Sequence, residues 1–449
     1  MKSVIKKTII VIILLLSALT LHACGVQGQS AYSGQDLQGA EQDTQGAAEQ
    51  DSQGAAEQDL QGAEQDTQGA AEQDLQDDRA GARFEELTLT GNLNLEYATQ
   101  FSVEEYGDYR LVRIENGEKF LVVPENEAVP ENVPKDITVI RQPLGRAYLV
   151  STSVMDLIRE LGAVDDLRFS GTKESDWYIA EAVEAMADGR LLYAGKYSAP
   201  DYELLISEGC DLAIENTMIY HSPEVKEKLE ELGIPVLVEQ SSHEKHPLGR
   251  LEWIKLYGIL FGKEDRAKEY FDNQLKLLES VINRPDSGQK AADSGKKVAD
   301  SGQKAADSGQ KVAFFYVNSM GAVNVRKPGD YISEMIELSG GEYALRDVVV
   351  ESDNALSTMN MQMEDFFLAA KDADILIYNS TIEAPLYSID DLIGKNKLFS
   401  QFAAVQSGRV YCTGKHFFQE STGMAEFMLD LNAVIEGQER ELVYLTKLE

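Results

Sequence analysis

Residues 146–170 read RAYLVSTSVMDLIRELGAVDDLRFS. An apolar run, Ala147–Val150, leads into Ser151-Thr152-Ser153. An amphipathic stretch follows over Met155–Leu161, then Gly162, then a second apolar run, Leu167–Ser170. The order is strand, polar turn, helix, glycine stop, strand. The rhythm continues downstream. Apolar runs at Leu191–Ala194, Leu212–Ile214 and Ile234–Val238 alternate with amphipathic stretches at Trp177–Met186, Asp201–Ser207 and Pro223–Leu232. In the last stretch Val225, Leu229 and Leu232 fall at i, i+4 and i+7. This alternation predicts βαβ units on a parallel sheet.

Upstream, residues 84–145 predict short strands. Tyr109–Ile114 and Lys119–Val123 flank Asn116-Gly117, a hairpin signal. Downstream, Pro247 opens a helical region running to about Arg284. It breaks at Gly262, and its second helix of about 20 residues spans roughly 30 Å. Alternation then resumes, with strands at Val312–Val317, Ala322–Val325, Ile375–Tyr378 and Val410–Tyr411. Helices are expected at Ile332–Leu338, Met363–Ala370 and Met424–Val434. The fold class is therefore α/β: two Rossmann-like lobes with parallel central sheets, joined by one long rigid helix. The expected divisions are an N-terminal hairpin and lobe at 84–247, a helical connector at 248–284 and a C-terminal lobe at 312–449. In open α/β sheets, ligands bind beyond the carboxyl ends of strands. Two lobes place those ends across a cleft.

The remaining sequence is of another kind. The chain has 449 residues and a formal net charge of -35. Such acidity excludes a general nucleic-acid binder, which needs clustered Lys and Arg. Residues 31–82 hold thirteen acids and one base, Arg79, in five QGA(A)EQDx units between Gln38 and Leu75. With no aromatic residue in those units, the tract buries too little apolar area to offset its chain entropy. Residues 24–83 are therefore expected to form a disordered, self-repelling tether. A second repeat, DSG(Q/K)K(A/V)A, runs four times between Asp286 and Ala313. Its apolar positions are adjacent rather than three and four apart, so it predicts no coiled coil. Residues 285–311 are expected to be an inserted, solvated loop.

Residues 1–23 carry an address. Lys2, Lys6 and Lys7 precede a nearly unbroken apolar run, Ile9–Leu21. That is a secretory signal, and the run falls short of the roughly 17 residues needed to span a bilayer. Leu21-His22-Ala23-Cys24 resembles a bacterial lipobox. The resemblance implies lipid on Cys24 and an extracytoplasmic protein.

Polar, aromatic and cationic residues recur at the predicted strand ends. In the first lobe the candidates are Thr152, Lys173, Trp177, Tyr197, Asn216, Tyr220 and His243. In the second they are Asn318, Arg326, Tyr331, Asn379 and His416. Cations at strand ends of an acidic protein predict an anionic ligand or one with acidic arms. No GxSxG, GxxxxGK[ST], HExxH or CxxC motif occurs, so no enzyme is expected. Beyond the signal the histidines are His221, His243, His246 and His416. Their meeting in the cleft with a carboxylate would make a Zn²⁺ or Mn²⁺ site. That free-metal receptor is the alternative to a binder of larger solutes, with a surface enzyme or adhesin of similar two-lobed fold a third. No resident metal or cofactor is expected. Cys210 and Cys412 are expected to be free thiols.

Several stretches resemble bacterial solute-binding lipoproteins of ABC importers, in the iron-complex and cobalamin group. Glu208–Ile214 stands at that family's strand entry, with Cys210 in place of the usual proline. Leu232-Gly233-Ile234-Pro235-Val236 resembles its Leu-Gly-Ile-Pro entry. Asp156 precedes Gly162 by six residues, as Glu334 precedes Gly340. The resemblance implies a monomeric receptor that captures a bulky chelate (an iron–siderophore, haem or corrinoid) in the interlobe cleft. Its partners would be a permease and that permease's ATPase. It also implies that Asp156 and Glu334 sit on the lobe tops and contact the permease.

Overall fold

The computed structural model describes residues 82–282, 309–350 and 357–449. The signal at 1–23, Cys24, nearly all of the tether and most of the 285–311 insert lie outside the described residues.

Residues 84–145 form more than a hairpin. Strands β1 (Gly91–Asn92), β2 (Phe101–Tyr106), β3 (Tyr109–Ile114), β4 (Lys119–Val123) and β5 (Thr138–Arg141) make one sheet in chain order. The β3–β4 hairpin turns at Asn116-Gly117 as expected, and β5 joins β4 in parallel. One face of the sheet adds Phe101, Val112, Ile114 and Phe120 to the main core. The other buries Tyr109, Leu121 and Val123 beneath neighbouring loops. The hairpin tip also docks on the next sheet. Glu118 Oε2 accepts the Val238 N–H at 3.0 Å, and Asn116 Nδ2 donates to the Tyr220 hydroxyl at 3.1 Å. An edge N–H that could pair with another chain is thereby covered.

The first lobe follows the alternation. Its elements are β6 (Ala147–Leu149), α1 (Thr152–Leu161), β7 (Leu167–Ser170), α2 (Ala180–Ala187) and β8 (Leu192–Tyr193). A small ribbon, β9 (Gly195–Lys196) and β10 (Ala199–Pro200), comes next. It is followed by α3 (Tyr202–Ser207), β11 (Leu212–Glu215), α4 (Pro223–Glu231) and β12 (Val236–Val238). The sheet order is β12-β11-β6-β7-β8, parallel throughout. Helix α1 buries Val154, Met155, Leu157, Ile158 and Leu161 along one face. It stops because Gly162 adopts φ 66°, a left-handed conformation that glycine enters without steric cost.

The connector is three helices: α5 (Pro247–Glu252), α6 (Ile254–Leu260) and α7 (Glu264–Ile282). At 19 residues, α7 is about 28 Å long. Two buried carboxylates fasten the N-terminal sheet to this connector. Glu252 accepts the backbone N–H groups of Glu96, Tyr97 and Ala98 at 2.8–3.1 Å. Glu244 accepts those of Thr99 and Gln100, both at 2.9 Å, and the Trp253 indole N–H at 3.0 Å.

The second lobe comprises β13 (Lys311–Val317), β14 (Val323–Arg326), α8 (Tyr331–Leu338), β15 (Glu342–Tyr343), β16 (Thr358–Met361) and α9 (Met363–Ala370). It continues with β17 (Ile375–Tyr378), α10 (Ile389–Lys395), α11 (Ala403–Gln406), β18 (Val410–Thr413), α12 (Met424–Glu436) and β19 (Leu445–Lys447). Its sheet runs β16-β14-β13-β17-β18-β19. The centre, β13-β17-β18, is parallel. The margins are antiparallel, because β14 returns directly from β13 by a hairpin and β19 returns against β18. Buried Asp430 fixes that return by accepting the N–H groups of Val443, Tyr444 and Leu445.

The lobes are joined by more than the connector. Residues 419–422, beyond β18, dock on the first lobe. Gln419 accepts the Tyr178 N–H at 2.8 Å and donates to the Asp176 carbonyl at 2.8 Å. Ser421 Oγ donates to the Ser153 carbonyl at 2.5 Å. Asp156 accepts the Thr422 N–H at 2.8 Å, the Thr422 hydroxyl, and Arg159 Nε at 2.8 Å. This corrects one placement. Asp156 is 0 % exposed, so it fastens the two lobes and is not presented to a permease. The sequence spacing was right for the helix and silent about which face of it is covered.

Candidate functional site

The carboxyl ends of both sheets open onto one cleft. It holds about 1090 Å³ of empty space, counting the part open to solvent. From the first lobe come Thr152 and Ser153 after β6, Thr217 and Met218 after β11, and Ser241 and Ser242 after β12. The second lobe supplies Arg326, the last residue of the antiparallel strand β14, Tyr331 at the start of α8, Asn379 and Thr381 after β17, and Phe417, Phe418, Glu420 and Ser421 after β18. Arg250, on connector helix α5, completes the polar wall.

Two guanidiniums share one aromatic ring there. Arg250 Cζ lies 3.7 Å from the Tyr331 ring centroid, and Arg326 Cζ lies 5.3 Å from it. Contacts of this kind contribute about 0.5–2 kcal/mol, more when water is excluded. Arg250 Nε and Nη2 donate to the carbonyls of Ser241 and Ser242, both at 3.1 Å. It therefore braces the first-lobe turn while lying on a second-lobe ring. Among the described residues no carboxylate lies within ion-pair distance of Arg250. Arg326 is 5 % exposed, with Asp330 Oδ2 at 3.9 Å and Ser357 Oγ at 3.3 Å. Among the described residues Glu420 is the sole carboxylate in the lining, and its Oε2 accepts from the Tyr444 hydroxyl at 2.8 Å.

Beneath this wall lies Glu239, 1 % exposed. Its Oε1 accepts the Ser241 N–H at 2.6 Å, and the Ser151 hydroxyl lies close enough to favour its charged form. Burial raises its pKa above the ordinary carboxyl value, against the opposing pull of Ser241 and the Arg250 charge.

Of the residues expected at the strand ends, Thr152, Arg326, Tyr331 and Asn379 line the cleft. Three more stand one residue from it. Asn216 is drawn inward by capping, its Oδ1 accepting the Met218 N–H at 2.9 Å, and Thr217 and Met218 take the wall. His243 follows Ser242; partial burial and the Arg250 charge lower its pKa. His416 precedes Phe417, with its ring 5.9 Å from that of Tyr444. The others have separate positions. Trp177 is a core residue, 5 % exposed, donating its indole N–H to Ser170 Oγ at 3.1 Å. Tyr197 packs in the separate cluster on the far face of the first sheet. Lys173 sits 6.0 Å above the Tyr193 ring. The Tyr220 hydroxyl accepts from Asn116 and Gln240. Asn318 shapes the β13–β14 turn by accepting the N–H groups of Met320 and Ala322. Glu334 is half-buried on α8, where burial and then the neighbouring Glu337 raise its pKa.

The histidines do not assemble. His246 caps α5 by accepting the Leu248 N–H at Nδ1, 3.1 Å, and stacks on Tyr97. His221 is solvent-exposed. Among the described residues no three His, Cys, Asp or Glu side chains gather as metal ligands. Cys210 and Cys412 are free thiols, as expected. The residue that sequence reasoning missed is Arg250. Its signal was available, since it lies three positions after Pro247, where the helix starts beside the last strand end.

Among the described residues no helix is long and apolar enough to cross a membrane. No family model matches the chain. By sequence it is similar to an uncharacterized lipoprotein of Methanocaldococcus jannaschii, 27 % identical over 328 residues, covering 69 % of this chain and 70 % of that one. By structure it is similar to a possible iron-binding periplasmic solute-binding protein of Staphylococcus epidermidis, at TM-score 0.47 and 19 % identity, covering 65 % of this chain and 98 % of that one. It is also similar to a periplasmic heme binding protein of Vibrio cholerae, at TM-score 0.49 and 17 % identity, covering 64 % and 99 %.

Proposed function

We propose that the protein is a lipid-anchored, extracytoplasmic receptor that captures a bulky metal chelate between its lobes and delivers it to an ABC permease. One observation carries the reading: a single open cleft built from the carboxyl ends of two α/β sheets, with Arg250, Tyr331 and Arg326 stacked across it. Hydroxyls, an amide, aromatic faces and guanidiniums suit binding by many shallow contacts. The lining contains no histidine or cysteine among the described residues, which gives the free-metal alternative no support. The lipobox at Cys24 and the lipoprotein relative both support the anchor. Glu334 and Glu337 on α8 offer an acidic patch for a permease arginine, and the permease's ATPase would complete the importer.

The test is thermal unfolding of the purified protein with ferric siderophores, haem and cobalamin, each in excess. A ligand at a hundred times its Kd stabilises by about 2.7 kcal/mol, which a melting curve resolves. A folded protein that responds to none of these chelates overturns the reading. For the anchor, Cys24→Ala should release the protein from membranes into the soluble fraction.

A further inference from the structure

Helix α1 starts at the cleft wall. Its first residues, Thr152 and Ser153, are lining residues, and the helix begins without a side-chain cap from Ser151. The first N–H groups of a helix are unpaired donors, and its dipole favours negative charge there. A second, independent observation points the same way. Thr152 is 4 % exposed, and its Oγ1 has no hydrogen-bond partner. An unmet buried hydroxyl is costly, and folded proteins rarely keep one without a use.

The Arg250 guanidinium belongs to the same corner. Glu239 accepts from Ser241, whose carbonyl Arg250 holds, and it feels both the Ser151 hydroxyl at the head of α1 and the Arg250 charge. The corner thus brings together a helix N-terminus, a buried hydroxyl without a partner and a cation that, among the described residues, has no carboxylate within ion-pair distance, Glu239 acting on it only from farther off. Glu420 is the opposing charge in the lining and is held by Tyr444.

Building on the receptor reading above, we propose that this corner is an oxyanion subsite, formed by the N-terminus of α1, Thr152 Oγ1 and Arg250. The ligand enters it with an oxyanion arm, a carboxylate or a phosphate. The hydroxyl and backbone N–H groups donate to one oxygen edge, and Arg250 faces the other. A chelate with acidic arms is then preferred over a neutral one of similar bulk. The metal need not touch the protein.

The experiment is isothermal titration of the full chain with ferric citrate, citrate alone, inorganic phosphate and a neutral ferric trihydroxamate. Wild type is compared with Thr152→Val and Arg250→Gln. Thr152→Val is the decisive variant, because it deletes an unpaired hydroxyl at nearly constant volume. Its melting temperature without ligand should hold or rise, while affinity for the oxyanion ligand should fall about tenfold. A purely structural threonine would lower the melting temperature and leave affinity alone. A response to ferric citrate or citrate identifies a carboxylate arm, and a response to phosphate alone identifies a phosphate arm; either supports the subsite. Binding of the trihydroxamate with no response to any oxyanion overturns the subsite and leaves the receptor reading standing. Unchanged oxyanion affinity in both variants overturns the subsite as well. Silence with every probe overturns the subsite, and the receptor reading falls with it only when haem and cobalamin are silent too.

Discussion

Asp156→Ala should loosen the union of the lobes. The carboxylate is fully buried and accepts from the Thr422 N–H at 2.8 Å, the Thr422 hydroxyl and Arg159 Nε at 2.8 Å. Alanine would leave the Thr422 N–H and the Thr422 hydroxyl proton without an acceptor at the interface and take one of two carboxylates from a guanidinium that is 30 % exposed. Removing one partner of a buried charge pair costs about 3–5 kcal/mol. Here the lower part of that range applies, since Arg159 keeps its existing ion pair with Glu160 at 2.8 Å. At about 2 °C per kcal/mol for a protein of this size, the melting temperature should fall by roughly 6–8 °C. Scanning calorimetry measures it directly. A double-mutant cycle with Thr422→Val isolates the contact and should show a coupling of about 1 kcal/mol or more. A fall below 2 °C, or costs that simply add, would refute an interlobe role for Asp156 and return it to the surface.

Other expectations concern groups held in unusual states. Glu215 is 0 % exposed with both oxygens unpartnered, and burial raises its pKa well above the ordinary value. The folded chain keeps that proton where the unfolded chain has lost it, so stability declines as pH rises above about 4.5. Glu215→Gln should therefore gain melting temperature over wild type at pH 8 and lose that advantage near pH 5. The sign is opposite for His246, whose pKa burial lowers to about 4, against the pull of Glu252. Its contribution is intact above the unfolded value near 6.5 and is lost as pH falls toward 4. His246→Asn keeps an acceptor for the Leu248 N–H, and its melting temperature should vary less between pH 6.5 and 4. Gly249→Ala would place a methyl 2.9 Å from the Tyr97 carbonyl oxygen and 3.2 Å from Glu244 Oε2. Alanine normally favours a helix by about 0.5–1 kcal/mol, yet this variant should melt lower, because overpacking costs about 1–3 kcal/mol.

Periodicity made the two sheets and their helices visible, because a buried parallel strand and an amphipathic helix leave unlike patterns. Strand β7 appears over the residues expected, Leu167–Ser170, as do β3 and β4. The antiparallel margins were harder to see. Strand β16, Thr358–Met361, has only Thr358 buried, and β19 is three residues long, so neither leaves a run to read. The cleft was half legible. Topology alone placed the right loops at the site, but not which side chain of each loop faces inward. Asn216 turns to cap its own loop and Trp177 fills the core. These choices depend on packing and backbone satisfaction three-dimensionally, not on residue type. Arg250 escaped notice because it reaches the cleft from the connector and not from a strand end.

The fastening of residues 96–100 bears on how this chain can change over generations. Glu244 and Glu252 grip the backbone N–H groups of five successive residues, and Thr99 alone adds a side-chain donor, at 2.9 Å to Glu244 Oε2. What is recognised is the peptide group, which nearly every amino acid carries. Substitutions among Glu96, Ala98 and Gln100 should thus drift with little consequence for this joint, proline excepted, because it has no N–H to give. The selective burden falls instead on two glutamates some 150 residues away, each of which, once lost, would release its own share of the joint.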